Sequence, residues 1–192
     1  QLYYYNIHDI IRVESDVILY ELEYFKSKEF EKSDLSIKTS DSLQGGLRFT
    51  RKIIEDRSNN SHKILYTEHF GSAGAQFSIE FGERIEVTIN KLISNSKHVL
   101  YVNLVEPLLR FLFISRGFIL LHSACLDKND SGLLMSAPPD TGKTTTVLKC
   151  VKKGYSFLSD DMTIIRLPNE ALCFPKPMTI SSHTFKTAVS VS

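Results

Sequence analysis

Along the first hundred residues, apolar and polar side chains alternate in short runs. Residues 17–24 (Val-Ile-Leu-Tyr-Glu-Leu-Glu-Tyr) and 47–53 (Leu-Arg-Phe-Thr-Arg-Lys-Ile) repeat with a period near two, the period of half-buried strands. Turn chemistry separates the runs. Ser58-Asn59-Asn60-Ser61 predicts a link between strands at 47–54 and 63–70, and Gly82-Glu83 predicts a hairpin between 76–81 and 84–89. The pattern reads as an antiparallel meander, and the polar stretch 34–46, ending in Gly45-Gly46, reads as a surface loop.

The character changes near Val105. Leu108, Leu109, Leu112 and Phe113 recur at helical spacing, with Pro107 suited to a first turn and Gly117 to the residue after the helix. Residues 118–121 and 132–135 are apolar runs that read as two buried strands, with a turn at 127–130 between them. A second helix is predicted from Lys143, with Val147, Leu148 and Val151 as its apolar face and Gly154 as its stop. Residues 155–158 then form a strand that runs into Ser159-Asp160-Asp161. After it come the apolar residues 162–165 and the exit Phe174-Pro175-Lys176-Pro177. Two regions follow: an antiparallel β-rich 1–104 and an α/β core over 105–192.

Composition narrows the function classes. With 42% hydrophobic and 23% charged residues among 192, the chain has enough apolar material for an ordinary core. A formal net charge of +1 supplies no field to attract nucleic acid. Cys125, Cys150 and Cys173 lack the spacing of zinc sites or disulfide frameworks, which points to a reducing cytoplasm. The apolar stretch 108–121 is interrupted by Arg110 and by Ser115-Arg116-Gly117, short of the roughly 18 residues a membrane helix needs. Neither a membrane span nor a secretory signal is expected.

Candidate chemistry centres on Ala137-Pro138-Pro139-Asp140-Thr141-Gly142-Lys143-Thr144. It follows the pattern G-x-x-x-x-G-K-[ST], in which backbone amides cradle phosphates, the lysine reaches the terminal ones and the hydroxyl binds Mg²⁺. Ala137 and Asp140 stand where such loops prefer glycine, and the prolines carry no N–H, so donors must come from Asp140 onward. A strand before the loop and a helix after it aim amides and a helix dipole at an anion. Asp160 and Asp161 end the next strand. Adjacent carboxylates resist ionising together, so one can hold metal while the other takes a proton. His122 ends an earlier strand, and a lone histidine is more often structural than catalytic. The other histidines show no metal-ligand spacing, and no Ser, His and Asp set carries a nucleophile-elbow signature.

Together these residues resemble the HPr kinase/phosphorylase-related group of the phosphoenolpyruvate carboxykinase-like kinases. The likeness rests on Leu120-Leu121-His122-Ser123-Ala124, Gly132-Leu133-Leu134, the loop through Thr144, residues 154–161 and Phe174-Pro175-Lys176-Pro177. It implies a P-loop α/β core with a mixed sheet, and ATP (or a related nucleotide) with Mg²⁺ as cofactors. It also implies that Ala137, Asp140, Thr141, Gly142, Lys143, Thr144 and Thr145 surround the nucleotide, with Lys143 on the β- and γ-phosphates. Thr144 and Asp161 would bind Mg²⁺ with help from Asp160, which would also be the general base. His122 would tune Asp160 or contact the transferring phosphate. The sequence stops at Ser192, before the family's usual substrate-recognising C-terminal part, so by this resemblance a truncated or incomplete catalytic domain is an open expectation.

The expected function is a kinase acting on a hydroxyl of a protein, peptide or small molecule, with self-association compatible with it. A nucleotide-sensing module without chemistry is the alternative, favoured by the Pro138-Pro139-Asp140 segment. A carboxykinase-like metabolic enzyme is a third, suggested by Thr141 to Thr145, but a chain of this length leaves little room for that family's substrate domain.

Overall fold

A computed structural model describes residues 1–41, 52–56, 62–70, 73–138 and 141–177. The chain divides into two compact units, Gln1–Leu109 and Arg110–Ser192.

The first unit holds β1 (Tyr3–Ile7), β2 (Ile11–Ser15), β3 (Leu35–Thr39), β4 (Lys52–Asp56), β5 (His62–Phe70), β6 (Ala73–Phe81) and β7 (Ile85–Ile89). They form one seven-stranded sheet in the order β1-β2-β3-β7-β6-β5-β4. From β4 to β7 successive strands pair antiparallel, as the turn chemistry predicts. Part of the strand expected at 47–54, and the turn at 58–61, lie outside the described residues.

Two expectations for this region are corrected. Residues 35–39 are not loop: β3 lies in the sheet interior and runs parallel to both β2 and β7, so the sheet is mixed rather than an antiparallel meander. The stretch looks polar, but Leu35 and Ile37 are fully buried, and Ser36 Oγ donates to Glu14 Oε1 at 2.7 Å. Its polarity is satisfied by the neighbouring strand. The alternating run 17–24 does not form a strand either; Tyr20–Phe25 is a 3-10 turn that buries Leu22 and Phe25. Side chains draw the backbone away from the sheet here. Ser15 Oγ accepts the Val17 N–H at 3.1 Å, and Tyr5 Oη accepts the Leu19 N–H at 2.9 Å.

Val13, Leu35, Ile37, Ile85, Val87 and Ile89 form the buried stripe of the sheet. Each such side chain contributes about 1.5–3 kcal/mol by leaving water. After β7 come α1 (Lys91–Asn95), α2 (Lys97–Leu100), a π-helical turn (Tyr101–Val105) and α3 (Glu106–Ser115). Lys97–Ser115 is one helical run of 19 residues with mean hydropathy 1.3, enough by length and composition to cross a membrane, though such a run also fits a core helix. Its Leu100, Tyr101, Leu104, Val105 and Leu109 are buried. The run begins upstream of the interrupted stretch 108–121. As the spacing predicts, α3 stops at Gly117. Gly117 adopts φ +82°, its N–H reaches Ile114 O, and the Phe118 N–H reaches Phe113 O. The Phe113 and Phe118 rings close this cap edge to face at 5.8 Å.

The second unit contains β8 (Ile119–Leu121), β9 (Ala124–Lys128), β10 (Ser131–Met135), α4 (Lys143–Lys152), β11 (Ser156–Ser159), β12 (Thr163–Arg166) and β13 (Glu170–Leu172). They make two small sheets, β10-β9-β11 and β13-β12-β8. Asn129 and Asp130 both take left-handed φ, as a tight two-residue hairpin between β9 and β10 requires. Because β10 and β11 each run antiparallel to β9, they are parallel to one another, and α4 connects them over it. Val147 meets Ala124 and Leu126 in the centre, with Met135, Cys150, Tyr155 and Phe157 around them.

This core differs from the expected one. Strands β8 and β10 are not buried: Ile119, Leu121, Leu133 and Leu134 are 38–44% exposed. The buried strand is β9, because it is central in its sheet and lies under the helix. On α4, Val151 is exposed, and Cys150 joins Val147 against the sheet instead.

The Tyr5 hydroxyl supplies a fold test. Tyr5→Phe leaves the buried Leu19 N–H without its acceptor and should cost about 1–3 kcal/mol, read as a lower urea midpoint at unchanged slope.

Candidate functional site

The loop after β10 closes on itself: Thr141 Oγ1 donates to Pro138 O at 2.7 Å. Gly142 then caps α4 with φ +91°, and nothing lies within 4 Å of the place a Cβ would occupy. The backbone conformation, rather than crowding, is what asks for glycine there. The Thr146 N–H and Oγ1 both bond to Gly142 O, at 3.0 and 3.1 Å. The first amides of α4 have no partners inside the helix. Lys143, Thr144 and Thr145 on its first turn are half-buried, Ala137 is half-buried, and Thr141 and Gly142 are exposed. Asp140, expected near the nucleotide, lies outside the described residues.

The acids are set by a buried cluster of hydroxyls. Ser123 Oγ donates to Thr163 Oγ1 at 3.0 Å, Thr163 Oγ1 donates to Ser123 O at 3.0 Å, and Ser159 Oγ lies 2.7 Å from Thr163 Oγ1. All three side chains are buried. One consistent proton assignment exists: Thr163 gives its single proton to the carbonyl and accepts from both serines. Since Ser123 follows His122, and Ser159 precedes Asp160, this cluster fixes the backbone from which the candidate side chains project.

His122 Nδ1 lies 3.1 Å from Asp161 Oδ1, and Lys176 Nζ lies 2.7 Å from Asp161 Oδ2. Both Asp161 oxygens are therefore engaged, and the direct partner of His122 is Asp161 rather than Asp160. Burial pushes the Asp161 carboxyl up, but the Lys176 hydrogen bond and charge, then His122 and Lys143, outweigh it and hold it below the usual range. Asp160 is the opposite case. Its Oδ1 is buried with no hydrogen-bond partner. Burial raises its carboxyl, the Lys143 charge opposes this most, and Asp161 adds to the rise. The two neighbouring carboxyls are thus shifted in opposite directions.

The unpartnered Asp160 oxygen suits an oxygen-seeking cation, whereas both Asp161 oxygens are taken by His122 and Lys176 in this structure. Among the described residues there is no preassembled group of three or more metal-binding side chains. Mg²⁺ fits such a site, since it uses one or two carboxylates and takes its other ligands from phosphates and water. A cavity of about 580 Å³ in this unit, lined by Asp127, Leu134, Leu158, Ile165 and Glu170 among others, does not involve the phosphate-loop residues.

The structure thus gathers His122, Asp160, Asp161 and Lys143 within one electrostatic neighbourhood. Two components carry no motif of their own. Lys176 is reached only through the Phe174-Pro175-Lys176-Pro177 segment, where a lysine between prolines is the available signal, and the Ser123, Ser159 and Thr163 hydroxyls have none. Comparison of the chain with protein-family models, curated proteins and solved structures returns no match.

Two predictions follow the geometry. Thr163→Val strands two buried hydroxyl donors and should cost about 1–3 kcal/mol in chemical denaturation, whereas Thr163→Ser should stay near the parent value. The acids should shift stability in opposite directions with pH. Asp160, raised in the folded state, contributes fully below the unfolded carboxylate value of about 4, and that contribution is lost as pH rises through its folded value. Asp161, lowered, contributes fully above about 4 and loses its contribution as pH falls through its folded value. Between acid and neutral pH, Asp160→Asn should gain melting temperature relative to the parent chain while Asp161→Asn falls behind it. Parallel curves for the two variants would contradict this.

Proposed function

We propose that the chain is a P-loop phosphotransferase of the HPr kinase/carboxykinase-like type, moving the γ-phosphoryl group of ATP or a related nucleotide to a hydroxyl. The observation that carries this reading is the pairing of a buried, unpartnered Asp160 oxygen with an Asp161 carboxyl held by His122 and Lys176, in the field of Lys143 at the start of α4. A structural turn capped by two acids would satisfy its oxygens locally. Here one is left open.

In this mechanism the α4 amides and Lys143 draw the phosphate chain to the helix N-terminus and neutralise charge on its terminal groups. Asp160 accepts the proton of the acceptor hydroxyl as the oxygen bonds to the γ-phosphorus. The bond from that phosphorus to the bridging oxygen breaks, and the nucleoside diphosphate leaves with the bonding pair. In the ligand-free chain His122 and Lys176 hold Asp161 in place. Mg²⁺, held by Thr144 and the two carboxylates, would supply further charge neutralisation on the phosphates.

A second reading, a nucleotide sensor without transfer, is favoured by the full engagement of both Asp161 oxygens by His122 and Lys176. The two are separated by chemistry. With γ-labelled ATP and a panel of hydroxyl acceptors, transfer should fall by at least about a hundredfold in Lys143→Met, with the unfolding midpoint retained. The parent rate should rise with pH on an acidic limb whose apparent pKa exceeds the free aspartate value of about 4, and Asp160→Asn should remove it. Unaltered transfer in Lys143→Met would sink the kinase assignment, whereas tight nucleotide binding with no transfer in either parent or Asp160→Asn would favour the sensor.

A further inference from the structure

Lys176 is more deeply placed than the other side chain touching Asp161: it is 17% exposed, against 62% for His122. Its position is held from both sides. The buried Phe174 donates its N–H to Leu158 O at 2.9 Å, pinning the segment to β11 just before Ser159. Pro175 and Pro177 flank the lysine and fix φ at their own positions, so the segment enters the site stiffened. An ion pair with a half-exposed carboxylate adds little stability, while ordering a lysine side chain costs entropy. Folding alone therefore gives weak reason to aim this ammonium at the acids. A phosphate gives a strong one, because the same donor can form a charge-assisted hydrogen bond to an anionic oxygen arriving next to Asp161.

We propose that Lys176 is a phosphate-contacting residue of this site. In the ligand-free chain Asp161 holds its ammonium, and an incoming terminal phosphate takes it over, leaving the Asp161 carboxylate available to a divalent ion. This rests on the phosphotransferase reading for the nucleotide as source. The ligand chemistry it specifies is a terminal phosphate, which a nucleoside triphosphate or a free phosphate can supply. The exchange is charge-balanced: the lysine passes from one anion to another, and the carboxylate passes from one cation to another. Lys143 approaches from the α4 side and Lys176 from the opposite end of the unit's sequence, so the phosphate would be held by cations on two separate elements.

Titration calorimetry on the full chain tests this with three probes: the magnesium complex of a non-hydrolysable β,γ-imido ATP analogue, Mg-ADP and inorganic phosphate. Lys176→Met should bind the triphosphate analogue about tenfold or more weakly while Mg-ADP changes by less than about twofold, and Lys176→Arg should restore most of the loss. Melting curves check that each variant folds, and Lys176→Gln carries the test if the methionine variant is unstable. Equal weakening of both nucleotides would show only a general loss of positive field, and no weakening would show only an Asp161 partner; either result overturns the proposal. If the parent chain binds inorganic phosphate in a Lys176-dependent way but neither nucleotide, the assignment of Lys176 stands and the kinase reading falls. Parent protein that binds none of the three defeats both.

Discussion

Thr163 Oγ1 is where three separate stretches of the second unit meet. It accepts from the hydroxyls of Ser123 and Ser159 and donates to the Ser123 carbonyl, wholly out of water. A buried network of this kind is costly when incomplete and rigid when every donor and acceptor is matched. Its members stand directly beside His122 and Asp160 in sequence, so their fixed positions pass to the side chains that face the site. The β9 strand above it and the first residues of β12 lock the same backbone through sheet pairing. The position of the acids therefore depends on polar groups buried away from solvent.

From that frame the two aspartates diverge. They are adjacent in the chain, yet His122 and Lys176 fill both oxygens of Asp161 while an oxygen of Asp160 is buried alone. Burial pushes both carboxyls up, and the balance is reversed for Asp161 by Lys176 and His122, which reach it directly. The division of labour comes from which neighbours each carboxylate can touch, not from residue type. The loop before α4 adds a second asymmetry: Pro138 and Pro139 carry no N–H, so under the proposed function anion binding would fall to side-chain cations and the first turn of α4.

The first unit follows different rules. Its sheet tolerates a serine and a glutamate at adjacent interior strands because they bond to one another, and Arg84 also reaches Glu14, at 3.2 Å. Its helical cover changes from α to π at Tyr101–Val105 while continuing to bury apolar residues. Leu35-Ser36-Ile37-Lys38-Thr39 does alternate apolar and polar, but the run is only five residues inside a polar stretch, and its parallel pairing with β2 and β7 leaves no local signal.

The sequence by itself determined the local features. The hairpin around Gly82, the stop of α3 at Gly117, the start of α4 after Gly142 and the strand leading to Asp160 and Asp161 are all written in periodicity and turn chemistry, which act over a few residues. The same reach brings the phosphate-loop pattern and the paired acids into view as candidates. Only tertiary structure decided that β3 is an interior parallel strand, that β9 rather than β8 or β10 is buried, that Tyr20–Phe25 turns instead of extending, and that Lys176 meets Asp161. Each of those depends on partners distant along the chain: a strand's burial is set by what covers it, and a carboxylate's charge by cations delivered from other elements. Such contacts leave no period in the sequence, so they become legible only when the chain is folded.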